Sequence, residues 1–125
     1  MKDMIIRYYH VYSTGDLNEF REICAHPEKE IEVYSEFAQA FGDMNLKATN
    51  IVAEGNQVIT QWEAKGTHIN VFLGKEATHK EIMMTGVDIF QFENNKIGTH
   101  EAAIDWLKIA TQLGLERFDE LPLYE

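Results

Sequence analysis

The chain has 125 residues, 45% of them hydrophobic and 26% charged, which suits one soluble globular domain over residues 1–125. Its net charge of −10 excludes nucleic acid and anionic membrane surfaces as natural partners, because both repel an acidic protein. Cys24, the single cysteine, excludes an internal disulfide and a thiolate-rich zinc site and suits a reducing cytoplasm.

The opening MKDMIIRYYHVYSTGD has no uninterrupted apolar core, so neither a signal peptide nor a membrane span is expected. Ile5, Tyr8, Tyr9 and Tyr12 follow helical spacing up to Gly15. Asp16, with Glu19 three residues on, starts a short second helix whose apolar face is Leu17, Phe20, Ile23 and Cys24. Pro27 opens a third helix, with Ile31, Tyr34, Ala38 and Phe41 as its stripe and Gly42 as its end. From Asn45 the period becomes that of strands. One hairpin is expected around Gly55-Asn56 and a second around Asn94-Asn95. A two-residue second turn sets Asp88 opposite Glu101 and Met84 opposite Asp105. Met84, Asp88, Phe90, Phe92, Ile97, Glu101 and Asp105 then share one face; Met83, Val87, Ile89, His100, Ala102 and Ile104 share the other. Both faces are apolar enough to need cover, which suggests helices on one and a second subunit, a homodimer, on the other. Trp106, Ile109, Ala110 and Leu113 mark a last helix, before which Asp105 reads as the N-cap. Helices followed by an antiparallel sheet describe an α+β fold.

Three stretches, NIVAEGNQVITQWEAKGTH, LGKEATHKEIMMTGVDIFQFENNKI and HEAAIDWLKIATQLG, together resemble the SnoaL-like polyketide cyclases of the nuclear-transport-factor-2-like superfamily. The most specific elements are Gly66–His68, the loop from Gly74 to Thr78, and the ending Gln112–Gly114. The resemblance implies a cone-shaped α+β barrel, with N-terminal helices on a curved, mainly antiparallel sheet around an apolar cavity. It also implies cofactor-independent chemistry in which an aspartate, matched by Asp105, acts as general acid/base. The chain departs from the family in three places. Only Ala25-His26-Pro27 remains where relatives carry an extended segment with a His-Asp-Pro-like motif; Glu101 stands where a Trp is common; and Ala77-Thr78-His79 replaces Pro-Thr-Gly.

The resulting expectation is a cytoplasmic small-molecule enzyme of isomerase, cyclase or hydratase type, acting on an apolar or cyclic compound. The alternative is a binding or oligomerisation module of the same fold. Asp105 is the expected catalytic residue, and its capping and proton-transfer roles are compatible. Tyr9, Tyr12, Trp62, Phe72 and Met84 are the candidates to shape the pocket, and His68, Asp88 and Glu101 to orient polar substituents. Glu101 and Asp105, four residues apart on a strand, are separated by roughly 13 Å and cannot share a proton. His68, His79 and His100 show no metal-ligand spacing, so neither a metal nor another cofactor is expected. Arg7, Arg21 and Arg117 all fall outside the predicted strands, which disfavours the Asp-Arg-Asp chemistry of limonene-type epoxide hydrolases.

Overall fold

Helix α1 (Lys2–Thr14) buries Ile5, Tyr8, Tyr9 and Val11, and Gly15 ends it at φ 75, a left-handed conformation that glycine adopts without strain. The structure is a computed structural model that describes residues 1–116; Arg117 and the rest of the expected 1–125 domain lie outside the described residues. Asp16 caps α2 (Leu17–Ile23) by accepting from the Asn18 N–H. Glu19 does not close the expected capping box and instead pairs with Arg7 of α1 at 2.7 Å. Helix α3 (Pro27–Ala40) carries Pro27 in its first turn.

Strand β1 (Phe41–Glu54) follows α3 without a loop, so the third helix ends earlier than its spacing suggests. Phe41 is extended and pairs with His68, Gly42 with Thr67, and these strand bonds take the place of another helical turn. Strands β2 (Gln57–His68), β3 (Glu81–Glu93) and β4 (Lys96–Ile104) complete an antiparallel sheet in the order β1-β2-β3-β4. The sheet is curved and does not close on itself. Two register shifts in β1, at Gly42/Asn45 and Ala48/Asn50, are places where a bulge bends a strand. Both expected hairpin turns are present, and Asn94 and Asn95 adopt φ 49 and 64 as a tight turn of the favoured hand requires.

The second hairpin corrects the expected pairing. Gln91 faces Thr99 while Phe92 faces Ile97, so Gly98 is an extra residue on β4. From the bulge onward Asp88 pairs with Ala102 and Ile89 with Glu101. A shift of one residue exchanges the faces of a strand. His100, Ala102 and Ile104 therefore join Met84, Asp88 and Phe90 on the inner face, and Glu101 turns to solvent.

The core lies between that inner face and α1 to α3. Phe20, Val58, Ile82, Phe90 and Ile109 are fully buried in it. Helix α4 (Trp106–Leu113) begins where β4 stops pairing with β3. Its Gln112 then clasps the Met83 backbone, accepting from N–H at 2.8 Å and donating to the carbonyl at 2.7 Å. Leu113 is buried and Gly114 closes the helix at φ 78, which gives the Gln-Leu-Gly ending its physical content. Among the described residues no helix is long and apolar enough to cross a membrane.

Candidate functional site

A cavity of about 110 Å³ opens between the inner sheet face and helices α1 and α3. Tyr8, Tyr9 and Tyr12, spaced to share one side of α1, form one wall, and Lys29, Val33 and Phe37 of α3 form a second. The sheet supplies Met44, Leu46, Trp62, Ala64 and Met84, then Asp88, His100, Ala102 and Ile104. Hollow space remains over the sheet because Ala64 and Ala102 are small. Trp62 lies flat across β3 because its neighbour is Gly86; a Cβ there would stand 2.7 Å from the indole Cε2.

Among the described residues only Lys29, Asp88 and His100 bring charge to this wall, and they are differently placed. Lys29 is exposed, whereas Asp88 is buried and the His100 side chain is only 13% exposed. His100 stacks on Phe90, with ring centroids 4.5 Å apart. Its Nδ1 is 3.3 Å from Glu30 Oε2 and 3.2 Å from the Tyr8 hydroxyl, which itself donates to Glu30 at 2.6 Å. Its Nε2 is 3.0 Å from Asp88 Oδ1, close enough for ion pairing, but makes no aligned hydrogen bond. Tyr9 donates to Asp88 Oδ2 at 2.5 Å and also contacts Thr60.

These surroundings set the protonation states. Burial pulls His100 down, yet its close contacts and charge pairing with Asp88 and Glu30 outweigh burial and hold it up at about 9. For Glu30, burial pushes up, but His100 and Tyr8 together bring it below the ordinary carboxyl value. Burial first raises both Tyr8 and Tyr9, followed by Tyr12 and then Glu30 for Tyr8 and by Asp88 for Tyr9, so both hydroxyls stay protonated donors at neutral pH. At pH 7 a protonated His100 therefore sits between Glu30 of α3 and Asp88 of β3.

Of the residues singled out from the sequence, the structure brings Tyr9, Tyr12, Trp62, Met84 and Asp88 together around the cavity. Four lie elsewhere. Asp105 is exposed: its carboxylate accepts from the Lys108 N–H at 3.0 Å as the N-cap of α4, beside a shallow outer groove with Gln61, Thr85 and Ala103. Glu101 is on the outer face, one residue out of the expected register. His68 is fully buried and anchors the 69–80 loop, its Nδ1 accepting from the Thr78 N–H at 3.1 Å. Phe72 packs behind the cavity wall, 5.7 Å from the Phe37 ring and 6.1 Å from Trp106. Sequence reasoning missed Glu30 and His100. The alternation of His100, Ala102 and Ile104 was visible, but the bulge that turns them inward was not; Glu30 was hidden among the acids that crowd the start of α3. Cys24 is buried with its thiol pushed up to about 12 by burial, far from a nucleophile's range. On the surface Arg7 pairs with Glu19 and Glu22, and Arg21 donates to Asn18 Oδ1. Among the described residues no cluster of three or more His, Cys, Asp or Glu side chains is arranged for a metal ion.

Comparison with known proteins finds one matching family and solved structures of the same fold. The model of one family, described as SnoaL-like polyketide cyclase, matches residues 2–113. No curated protein matched the sequence. Among solved structures, TsrD from Streptomyces laurentii superposes with a TM-score of 0.85 at 19% identity, over 90% of this chain and 93% of its own. IdmH from Streptomyces antibioticus, described as a candidate polyketide cyclase, gives 0.81 at 25% identity over 91% and 98%. AclR from Streptomyces galilaeus, described as a candidate hydroxylase, gives 0.79 at 18% identity over 90% and 94%.

Proposed function

The chain belongs to the SnoaL-like polyketide cyclase family, and we propose that it is a cofactor-independent small-molecule enzyme whose proton-handling pair is Asp88 and His100. The observation that carries this reading is a buried imidazolium held between two carboxylates in the wall of an otherwise apolar cavity. Such a pair fits isomerisation, cyclisation or hydration through an enol. Asp88 takes a proton from the carbon beside a carbonyl, and each of its oxygens keeps acceptor capacity beyond the contacts with Tyr9 and His100. The Nε2–H of His100, lacking an aligned partner, donates to the carbonyl oxygen as negative charge builds there. The proton on Asp88 then returns to a different atom of the enol system. Tyr9 orients Asp88, and Glu30 with Tyr8 orients His100.

This reading moves the general acid/base from Asp105 to Asp88, since Asp105 stands outside the cavity wall. Deuterium exchange at the α-carbon of cyclohexanone, followed by proton NMR in D₂O, tests it. Asp88→Asn should abolish the protein-dependent exchange and Asp105→Asn should leave it in place. If Asp105→Asn alone stops exchange, the acid/base belongs to the outer groove. If the wild-type protein gives no exchange, yet binds cyclohexanone, the binding module is the better description. The homodimer belongs to the same proposal, supported by Val52, Ile59, Met83 and Val87, all exposed on the outer sheet face.

A further inference from the structure

We infer that the cavity takes a ligand carrying a carboxylate as well as a carbonyl, and that Lys29 is the residue that selects it. This rests on the site proposed above and specifies its substrate class. Lys29 lines the cavity and is itself exposed, so it stands where the cavity meets solvent. The sheet ends at β4, whose Ala102 and Ile104 line the cavity while only half-buried, so a gap between α3 and β4 is open to a ligand. Lys29 directly precedes Glu30, the α3 carboxylate that reaches across to His100 of β4. A lysine on a helix commonly pairs with a carboxylate three or four residues away, and Glu32 is so placed. Yet among the described residues no ion pair includes Lys29. Asp88 and Glu30 are already answered, since each faces His100 and accepts from a tyrosine hydroxyl. The ammonium of the cavity wall is thus left without a counter-ion. A neutral ligand leaves it so, whereas a carboxylate meets it at short range. The chain's charge of −10 opposes anions in general, but at physiological ionic strength that repulsion fades beyond about 8 Å, so contact with Lys29 decides. The four-carbon stem of the lysine covers apolar wall and lets the charge follow the ligand. With the carbonyl oxygen at His100 and the carboxylate at Lys29, the second contact fixes which α-carbon faces Asp88.

The test titrates 3-oxocyclohexane-1-carboxylate and the matching 3-oxocyclohexane-1-carboxamide into the full chain at neutral pH and low salt. The Trp62 indole N–H is followed by NMR, and Trp106 serves as the internal control. The expected result is about two- to fivefold tighter binding of the carboxylate, the gain an exposed ion pair gives, and a smaller preference at high salt. Lys29→Arg should keep the preference, Lys29→Met should erase it and Lys29→Glu should reverse it. All three changes are at an exposed position, where substitution leaves the fold in place. Equal binding of the two compounds by the wild-type chain, or a preference that survives Lys29→Met, overturns the inference and leaves the site in place. No shift of Trp62 with either compound overturns both the inference and the site it rests on.

Discussion

His100 couples the site to folding, and the sign of that coupling is fixed. A histidine whose folded value is raised from 6.5 to about 9 binds its proton more tightly when folded. Its contribution is complete below the unfolded value and is lost as pH rises through the folded one, so stability falls between about pH 6.5 and 9. The full shift corresponds to on the order of 3 kcal/mol. Chemical denaturation at a series of pH values should show that decline in wild type and a much flatter profile in His100→Gln. A decline of equal size in both proteins would assign it to other groups. Tyr9→Phe is the complementary change: it leaves the ring and removes the hydroxyl that joins Asp88 to Thr60. The expected loss is about 1–3 kcal/mol, measured as a lower denaturant midpoint at unchanged slope.

At the scale of elements, the legibility of the sequence followed the range of the interactions that decide each feature. Gly15, Asp16, Pro27, the Gly55-Asn56 turn and the Asn94-Asn95 turn act within a few residues, and each marks an element end in the structure. The α+β order followed from them. Facing residues across β3 and β4 depend on one inserted residue, Gly98, and nothing in the local pattern KIGTHEAAI separates a bulged from a regular strand. That one residue put Glu101 opposite Asp88 in the expected pairing and left His100 on the other face; Asp105 entered the expected site through the family resemblance instead. The end of α3 was misplaced for a related reason, since Phe41 is buried whether it ends a helix or starts a strand. The junction between β4 and α4 offers a test of an element held by one side chain. Gln112 supplies both backbone bonds that β4 no longer gives Met83, so Gln112→Leu should lower stability by about 1–2 kcal/mol. Hydrogen exchange should quicken at the Met83 amide specifically; an unchanged rate there would mean the clasp does not protect it.

The whole molecule carries its site as a packing deficiency. Most large side chains between the helices and the sheet interdigitate, and the hollow persists where Ala64 and Ala102 leave the sheet uncovered. Stability alone would favour filling that space, because closing an apolar void recovers dispersion contacts the lining otherwise lacks. Ala102→Leu places an isopropyl group into the cavity beside His100 without removing any polar partner there. The expected outcome is a gain of about 1 kcal/mol, seen as a rise of a few degrees in Tm, together with loss of cyclohexanone binding. The opposite pairing, reduced stability with binding retained, would mean that the side chain is turned away and the void is not where the ligand sits. A gain in stability at the expense of binding is the signature of a space kept open for a ligand. It is also what separates a site from an accident of packing in a chain whose overall charge and fold serve either purpose.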